Sequence, residues 1–210
     1  MSCSKTLLAC SHKWPLLTFS CRYLSVKYWS PPDIFTHDSE KFYLSPKFSK
    51  PQPLPSLSDP NTVDLSVVVP AFNEKDRLPI MMKETIAHLE SLSPRRTYEI
   101  IVVDDGSSDN TSRIALNLGT RYPKSDIRVV ILEHNVGKGG AVRHGMLYSG
   151  GERLLMVDAD GASKFSDLED LWKTMDKIAP NKKAGVVVGS RAHLVKSEAV
   201  VKVACSFSLA

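Results

Sequence analysis

The 210-residue sequence is poor in cysteine: of its four cysteines, none lies between Cys21 and Cys205. This distribution excludes a disulfide framework or a CxxC metal site in the central part of the chain and is typical of a reducing compartment. The six histidines show no ligand spacing such as HExxH, so the sequence predicts no structural zinc site. The longest unbroken apolar run near the N-terminus is Leu7–Cys10, whereas a bilayer span needs about 18 residues, so no transmembrane helix is predicted.

An excess of one charge is also missing from most of the chain. The formal net charge is +4, but the four basic residues that precede the first acidic residue account for all of it: Lys5, Lys13, Arg22 and Lys27. From Asp33 onward, basic and acidic residues balance. Because no basic stripe with interleaved aromatic residues is present, the sequence predicts no nucleic-acid partner.

Glycine is absent from the first 105 residues, and seven of the 13 prolines fall between Pro31 and Pro60. Proline fixes the backbone and removes hydrogen-bond donors, which favours an extended linker or a surface arm there. The acid-free, serine-rich leader has the composition of an organelle transit peptide, and a variant N-terminus would have the same composition. The predicted organisation is a disordered or targeting leader at 1–32, a proline-rich linker at 33–61, a folded domain at 62–194 and an unassigned tail at 195–210.

Strand and helix patterns alternate through the predicted domain. Apolar β-branched runs predict five strands, at 63–70, 98–103, 127–132, 153–157 and 184–189. Helical spacing of apolar residues predicts helices at 77–92, 110–121, 140–148 and 167–178, the last opened by a capping box of Ser166 and Glu169. Short apolar strands separated by helices predict an α/β fold, with a mainly parallel, Rossmann-like sheet and helices on both faces.

Polar residues follow each predicted strand. In a parallel sheet, ligands bind beyond the carboxyl ends of the strands, so we expect these side chains to converge on one edge. In strand order they are Asn73 and Glu74, then Asp104 and Asp105, then Asn135 and Lys138, then Asp158 and Asp160, and finally Ser190 and Arg191.

The Asp158-Ala159-Asp160 triplet is the most specific of these motifs. Alternating residues at a strand end can turn both carboxylates toward one ligand, which suits a hard divalent cation shared with substrate phosphates. A polar turn with two solvated aspartates gives the same pattern.

The Asn135–Gly140 segment is a glycine-rich turn that enters a predicted helix. Free N–H groups and the helix dipole could hold an anion there. The segment is neither a P-loop nor a GxGxxG motif, and a plain helix-entry turn accounts for it equally well. A turn with a helix N-cap likewise accounts for Asp104–Ser107.

Taken together and in this order, the motifs resemble those of the inverting glycosyltransferases of family two, over about residues 40–194. The segments that carry this resemblance are Pro70–Glu74, Val102–Ser107, Asn135–Gly139 and Asp158–Asp160. Three segments are most similar to the members that transfer glucose from UDP-glucose to dolichyl phosphate: Gly137–Arg143, Asp158–Phe165 and Gly189–Leu194. The resemblance implies a GT-A nucleotide-sugar-binding domain at the cytosolic face of the endoplasmic reticulum membrane, serving protein N-glycosylation.

The resemblance also implies roles for individual residues. Asp105 is expected to contact the uracil, with Asp104 and Glu74 supporting the nucleoside end of the pocket. Asp158 and Asp160 are expected to hold Mg²⁺ or Mn²⁺ on the diphosphate. The residues expected at phosphate oxygens are Lys138, Arg143 and Arg191. The implied partners are UDP-glucose, dolichyl phosphate and a membrane surface.

The sequence stops soon after Arg191, so the resemblance leads us to expect a domain incomplete at the C-terminus, without acceptor-side catalytic residues. Such a chain would bind donor and transfer glucose poorly. Two alternatives stay open. One is a truncated, non-catalytic UDP-sugar-binding variant. The other is a sugar-phosphate nucleotidyltransferase, which needs a glycine-rich loop where this chain has Ala71–Glu74. For localisation, the alternative to the endoplasmic reticulum membrane is a soluble or organelle-targeted variant.

Overall fold

The computed structural model describes residues 36–56, 58–180 and 184–189. From His37 onward these residues belong to one compact unit. The strands among the described residues are β1 (Phe42–Tyr43), β2 (Gln52–Pro53), β3 (Val63–Ala71), β4 (Tyr98–Asp104), β5 (Asp126–Ile131) and β6 (Gly151–Met156). Its α-helices are α1 (Leu78–Ser91), α2 (Thr111–Arg121), α3 (Gly137–Leu147) and α4 (Leu168–Ile178).

Strands β3 to β6 form one parallel sheet in the order β5-β4-β3-β6. In the register, Leu65 of β3 lies beside Tyr98 of β4 and Arg153 of β6. Because all four strands run in one direction, their carboxyl ends share one edge. The predicted α/β fold with a parallel sheet is confirmed.

The apolar runs of the central strands β3 and β4 form strands because both faces of the sheet are covered there. Val67 and Val69 of β3 lie in a core cluster with Leu78 and Met82 of α1, whereas Val68 between them lies in a second cluster with Ala141 of α3. Side chains that alternate along a strand point to opposite faces, so α1 and α3 cover opposite faces of the sheet. This arrangement confirms the predicted helices on both faces.

Two local predictions are wrong. Residues 184–189 form no strand, and Val186 and Val188 there are 82% and 80% exposed. A β-branched run favours extended backbone, but a strand also needs a neighbour to pair with. The predicted capping box is also absent: a 3₁₀ turn spans Phe165–Asp167, and the Glu169 carboxylate is held by a distant arginine.

The segment whose proline content predicts a linker or surface arm lies against the β5 edge of the sheet. It holds a 3₁₀ turn at Asp38–Lys41, followed by the antiparallel pair β1 and β2. Leu44 exchanges backbone hydrogen bonds of 2.8 and 2.9 Å with Val129 of β5, and Tyr43 is buried. None of the helices in the described part of the chain has the length and apolar character needed to cross a bilayer.

Candidate functional site

A cleft of about 190 Å³ lies at the carboxyl ends of β3 and β6, beside the N-terminus of α3. It gathers polar side chains from four separate loops or strand ends. They are Glu74, Asp105, Lys138, Asp158 and Asp160. The convergence follows from the parallel sheet, since each of these residues comes shortly after a strand that ends at this edge.

Hydrogen bonds tie the loop after β3 to the loop after β4. Asn73, in the left-handed region with φ of 56°, donates its N–H to Ser107 Oγ at 2.9 Å and accepts from the Ser108 N–H at 2.9 Å. Glu74 donates its N–H to Thr111 Oγ1, also at 2.9 Å. These contacts fix the backbone from which Glu74 enters the cleft. Sequence reasoning missed the roles of Asn73, Ser107 and Thr111, for which the only local signal is their general preference for turns and helix starts.

The carboxylate of Glu74 is only partly satisfied within the protein. Its Oε1 pairs with Arg77 Nη2 at 2.6 Å. Its Oε2 is buried and has no hydrogen-bond partner among the described residues. Because a buried carboxylate oxygen without a partner is unfavourable, this atom is suited to accept a hydrogen bond from a bound ligand.

Asp104 and Asp105 are adjacent, but only the Asp105 side chain lines the cleft. The Asp105 side chain lines the cleft and accepts the Val136 N–H at 2.7 Å. Burial raises the pKa of the Asp105 carboxyl, the Val136 N–H opposes that rise, and the nearby Asp104 adds to it. Asp104 is not among the cleft-lining residues, and its carboxylate accepts the Ser107 N–H at 2.9 Å. Asp104 therefore shapes the turn that presents Asp105.

Gly106, which follows this pair, has a φ of 73° and lies tightly against the loop after β5. A Cβ at this position would stand 3.1 Å from the Asn135 nitrogen and 3.3 Å from the His134 carbonyl carbon. Both the positive φ and the close approach require glycine. The turn that presents Asp105 and the loop before α3 are therefore packed against each other.

The N-terminus of α3 forms one wall of the cleft. The first N–H groups of a helix lack intrahelical partners, and the helix dipole favours an anion beside them. A Cβ added to Gly137 or to Gly139 would meet nothing within 4 Å. The backbone of this turn is therefore open to a ligand, as anion binding at a helix N-terminus requires.

Asp158 and Asp160 follow β6 on alternate positions. Ala159 between them is 3% exposed and lies in the core, so the two aspartates face away from the core together. Lys138 Nζ lies 2.5 Å from Asp158 Oδ1, and Asp160 Oδ1 accepts the Ala162 N–H at 2.9 Å. The cleft thus offers carboxylate oxygens, one of which already binds the Lys138 ammonium group. This hard-oxygen donor set fits Mg²⁺ or Mn²⁺.

Not every predicted site residue lies in the cleft. Arg143 is exposed on α3 and does not line it. Arg191 lies outside the described residues. Phe72, which sequence reasoning did not single out, lines the cleft and is 47% exposed, which leaves an aromatic face open beside the polar groups.

Comparison with known proteins identifies relatives of the chain. The sequence profile of glycosyl transferase family 2 matches residues 66–198. The human protein "Dolichyl-phosphate beta-glucosyltransferase" is 47% identical over 169 residues, which cover 79% of this chain and 52% of that protein. The Saccharomyces cerevisiae protein of the same name is 42% identical over 161 residues, covering 71% and 48%. The chain thus spans about half the length of these curated relatives.

Among solved structures, the mannosyltransferase PcManGT from Pyrobaculum calidifontis, solved with GDP-Man and Mn²⁺, matches 76% of this chain and 40% of its own. The identity is 19% and the TM-score is 0.49. The sequence relatives are glycosyltransferases, so the alternative of a sugar-phosphate nucleotidyltransferase is not favoured.

Proposed function

The chain belongs to glycosyl transferase family 2, and from that premise we propose that its cleft binds UDP-glucose for transfer of glucose to dolichyl phosphate. The observation that carries the proposal is the convergence of Glu74, Asp105, Asp158 and Asp160 with Lys138 in one cleft at the carboxyl edge of the sheet. The name shared by the human and yeast relatives supports the choice of donor sugar and acceptor.

The nucleoside end of the donor lies at Asp105 and Glu74 in this proposal. The uracil ring carries an N–H, and the buried Asp105 carboxylate is an acceptor for it. The unpartnered Glu74 Oε2 accepts a hydrogen bond from a ribose hydroxyl. A site built around a ring N–H discriminates against a base that cannot donate at that position, so we expect UDP to bind more tightly than ADP.

The diphosphate lies between the N-terminus of α3 and the Asp158–Asp160 pair. Lys138 leaves Asp158 to contact a phosphate oxygen, and the dipole at the N-terminus of α3 favours the same anion. Asp158 and Asp160 hold Mg²⁺ or Mn²⁺, which when bound neutralises charge on the leaving diphosphate. Arg143 is exposed on α3 and does not line the cleft, so no contact with the diphosphate is assigned to it.

The proposed acceptor, dolichyl phosphate, does not require a strong general base from the protein. Dolichyl phosphate is a phosphate monoester whose second pKa is about 6, so it is largely a dianion at neutral pH. A dianion attacks the sugar carbon without losing a proton, which makes a strong general base unnecessary. The protein's main tasks are then to orient the donor and to stabilise the departing UDP.

Donor binding is tested by calorimetry of UDP with the full chain in Mn²⁺, in Mg²⁺ and in EDTA. We expect metal-dependent binding that the Asp158→Ala/Asp160→Ala variant loses. Asp170→Ala removes an exposed carboxylate on α4, outside the cleft, and serves as the matched control. Equal UDP affinity with and without metal would contradict the metal assignment, and equal affinity for ADP would contradict the role of Asp105.

Transfer is tested by incubating the same chain with UDP-glucose, Mn²⁺ and a short polyprenyl phosphate. Formation of the glycolipid supports the proposal. Release of free glucose from UDP-glucose without glycolipid contradicts the acceptor. Donor binding with no turnover of either kind favours the non-catalytic alternative.

A further inference from the structure

A second group of potential metal ligands lies apart from the cleft, where the arm at residues 37–54 meets the loop between β5 and α3. It consists of His37 from the arm and Glu133 with His134 from the loop. One ligand atom from each side chain lies within 4.8 Å of the other two. His37 Nδ1 and Glu133 Oε2 are 3.4 Å apart.

These distances suit a single ion. A tetrahedral Zn²⁺ bound at about 2.0–2.2 Å holds its ligand atoms roughly 3.4 Å from one another. The pair of His37 and Glu133 already has that spacing. His134 is exposed, so its side chain has room to move toward the other two ligand atoms, which lie within 4.8 Å of its own.

The donor types select the class of ion. Two imidazoles and one carboxylate suit Zn²⁺ and the neighbouring transition metals, whereas Mg²⁺ and Ca²⁺ prefer all-oxygen sites. The Asp158–Asp160 pair, with carboxylate donors only, belongs to the second class. The two sites therefore differ in the metal that they select.

Surrounding groups hold both halves of the cluster in place. The Ser39 hydroxyl donates to Glu133 Oε1, which leaves Oε2 to face His37. The buried Glu40 carboxylate accepts the His37 N–H at 2.9 Å through one oxygen and the Glu133 N–H at 3.0 Å through the other. Outer contacts of this kind orient metal ligands and strengthen binding.

We propose that His37, Glu133 and His134 form a binding site for Zn²⁺ or a chemically similar transition-metal ion, which we call the arm site. Three protein ligands leave a fourth position for water. The ion would join the arm to the loop that packs on Gly106, and thus to the turn that presents Asp105. The proposal of the arm site rests on His37, Glu133 and His134 and does not depend on the proposed glycosyl transfer.

The test must exclude other ligands for zinc. The protein is the untagged full chain with Asp158→Ala and Asp160→Ala, and with its four cysteines replaced by serine. Calorimetry measures Zn²⁺ binding, and visible absorption of Co²⁺ reports coordination by nitrogen and oxygen in a tetrahedral site. We expect one Zn²⁺ per chain, with affinity reduced at least about tenfold by Glu133→Gln and by His134→Asn.

The matched control is His88→Asn, which removes a half-buried histidine of α1 outside the cluster. We expect this variant to bind Zn²⁺ as the parent does. Circular dichroism checks that each variant folds, and the wild-type chain with alkylated thiols provides a second parent if the multiple variant does not. Equal Zn²⁺ affinity for parent, His134→Asn and His88→Asn would overturn the arm site, as would an absence of tetrahedral Co²⁺ absorption in both parents.

Discussion

Strand β4 has a buried carboxylate near each of its ends, and the two are used in opposite ways. At the amino end, Glu99 is fully buried and accepts hydrogen bonds from Ser66 Oγ at 2.5 Å and from the Gly150 N–H at 2.7 Å. Arg128 of β5 also forms an ion pair with it. At the carboxyl end, Asp105 is 3% exposed, accepts one N–H from Val136, and forms no ion pair with any residue the structure describes.

The difference separates a structural carboxylate from one available to a ligand. At the amino edge the Glu99 charge is compensated inside the protein by Arg128, which also pairs with Asp126 at 2.8 Å and lies over the Tyr43 ring. At the carboxyl edge, Asp105 and the unpartnered Glu74 Oε2 keep acceptor capacity that the protein does not use. We therefore expect substitutions at the amino edge to act on stability and those at the carboxyl edge to act on binding.

The largest effect is expected from Glu99→Ala. Removing this carboxylate leaves Arg128, whose side chain is only 14% exposed, without its main buried partner. Breaking a buried pair in this way typically costs about 3–5 kcal/mol of unfolding free energy. Urea denaturation measures the loss, and UDP affinity of the folded protein should not change.

The double variant Glu99→Met/Arg128→Met sharpens this test. Replacing both members of a buried pair by apolar side chains is often close to neutral, so we expect most of the lost stability to return. A loss below about 1 kcal/mol for Glu99→Ala alone would mean that this buried pair does not stabilise the fold.

A second, smaller loss of stability is expected from Gly145→Ala, on the packed side of α3. The added Cβ would stand 2.5 Å from Val68 Cγ1 and 3.0 Å from Val103 Cγ2. Overpacking of this kind costs about 1–3 kcal/mol, because the helix must move away from the sheet. Thermal and urea denaturation measure it. Unchanged stability would show that α3 is loosely seated on β3 and β4.

The sequence was sufficient where a local pattern determines the structure. Apolar runs predicted the strands β3 to β6 to within a few residues, and in the central strands β3 and β4 burial on both faces accounts for such runs. The order of strands and helices then placed Asp105, Lys138 and Asp158 at one edge, and the cleft brings these three together. Whether they perform the predicted roles stays a prediction.

The sequence was insufficient where a contact joins distant segments. No local signal links Glu99 to Arg128, or Arg96 to Glu169. The sequence predicts that Glu169 caps α4, whereas its carboxylate pairs with Arg96 at 2.5 Å. Ligand-spacing rules cover only short motifs, whereas the proposed arm site joins His37 to a loop almost a hundred residues later, so the prediction of no structural zinc site stays to be tested. The strand predicted at residues 184–189 is wrong for a related reason, since a high β-propensity does not supply a neighbouring strand to pair with.

In the exposed first turn of α3, Gly139→Ala should raise stability and weaken nucleotide binding. A Cβ at Gly139 meets no atom within 4 Å, and alanine in a helix is about 0.5–1 kcal/mol more favourable than glycine. The methyl group would occupy space that a phosphate needs to approach the helix N-terminus. Denaturation and UDP calorimetry measure the two effects. Unchanged UDP affinity would place the diphosphate elsewhere.

The smallest effect on stability is expected from Asp105→Asn, and its sign depends on pH. Burial raises the pKa of the Asp105 carboxyl above the value of about 3.9 for an unfolded chain. Below that unfolded value both states hold the proton, so the burial carries no charge penalty. Between that value and the raised folded pKa, the unfolded chain is ionised while the native carboxyl keeps its proton, so wild-type stability falls relative to the asparagine variant as the pH rises through this window and then levels off.

We therefore expect Asp105→Asn to be more stable relative to wild type at pH 7 than at pH 3. Urea denaturation of both proteins at the two pH values isolates this difference, and Asp170→Asn, on an exposed carboxylate, serves as the control. The same variant should lose the preference for UDP over ADP, because the amide offers one weaker acceptor in place of a charge. If instead the variant loses stability relative to wild type as the pH rises, Asp105 is a stabilising carboxylate like Glu99, and the contrast between the two ends of β4 does not hold.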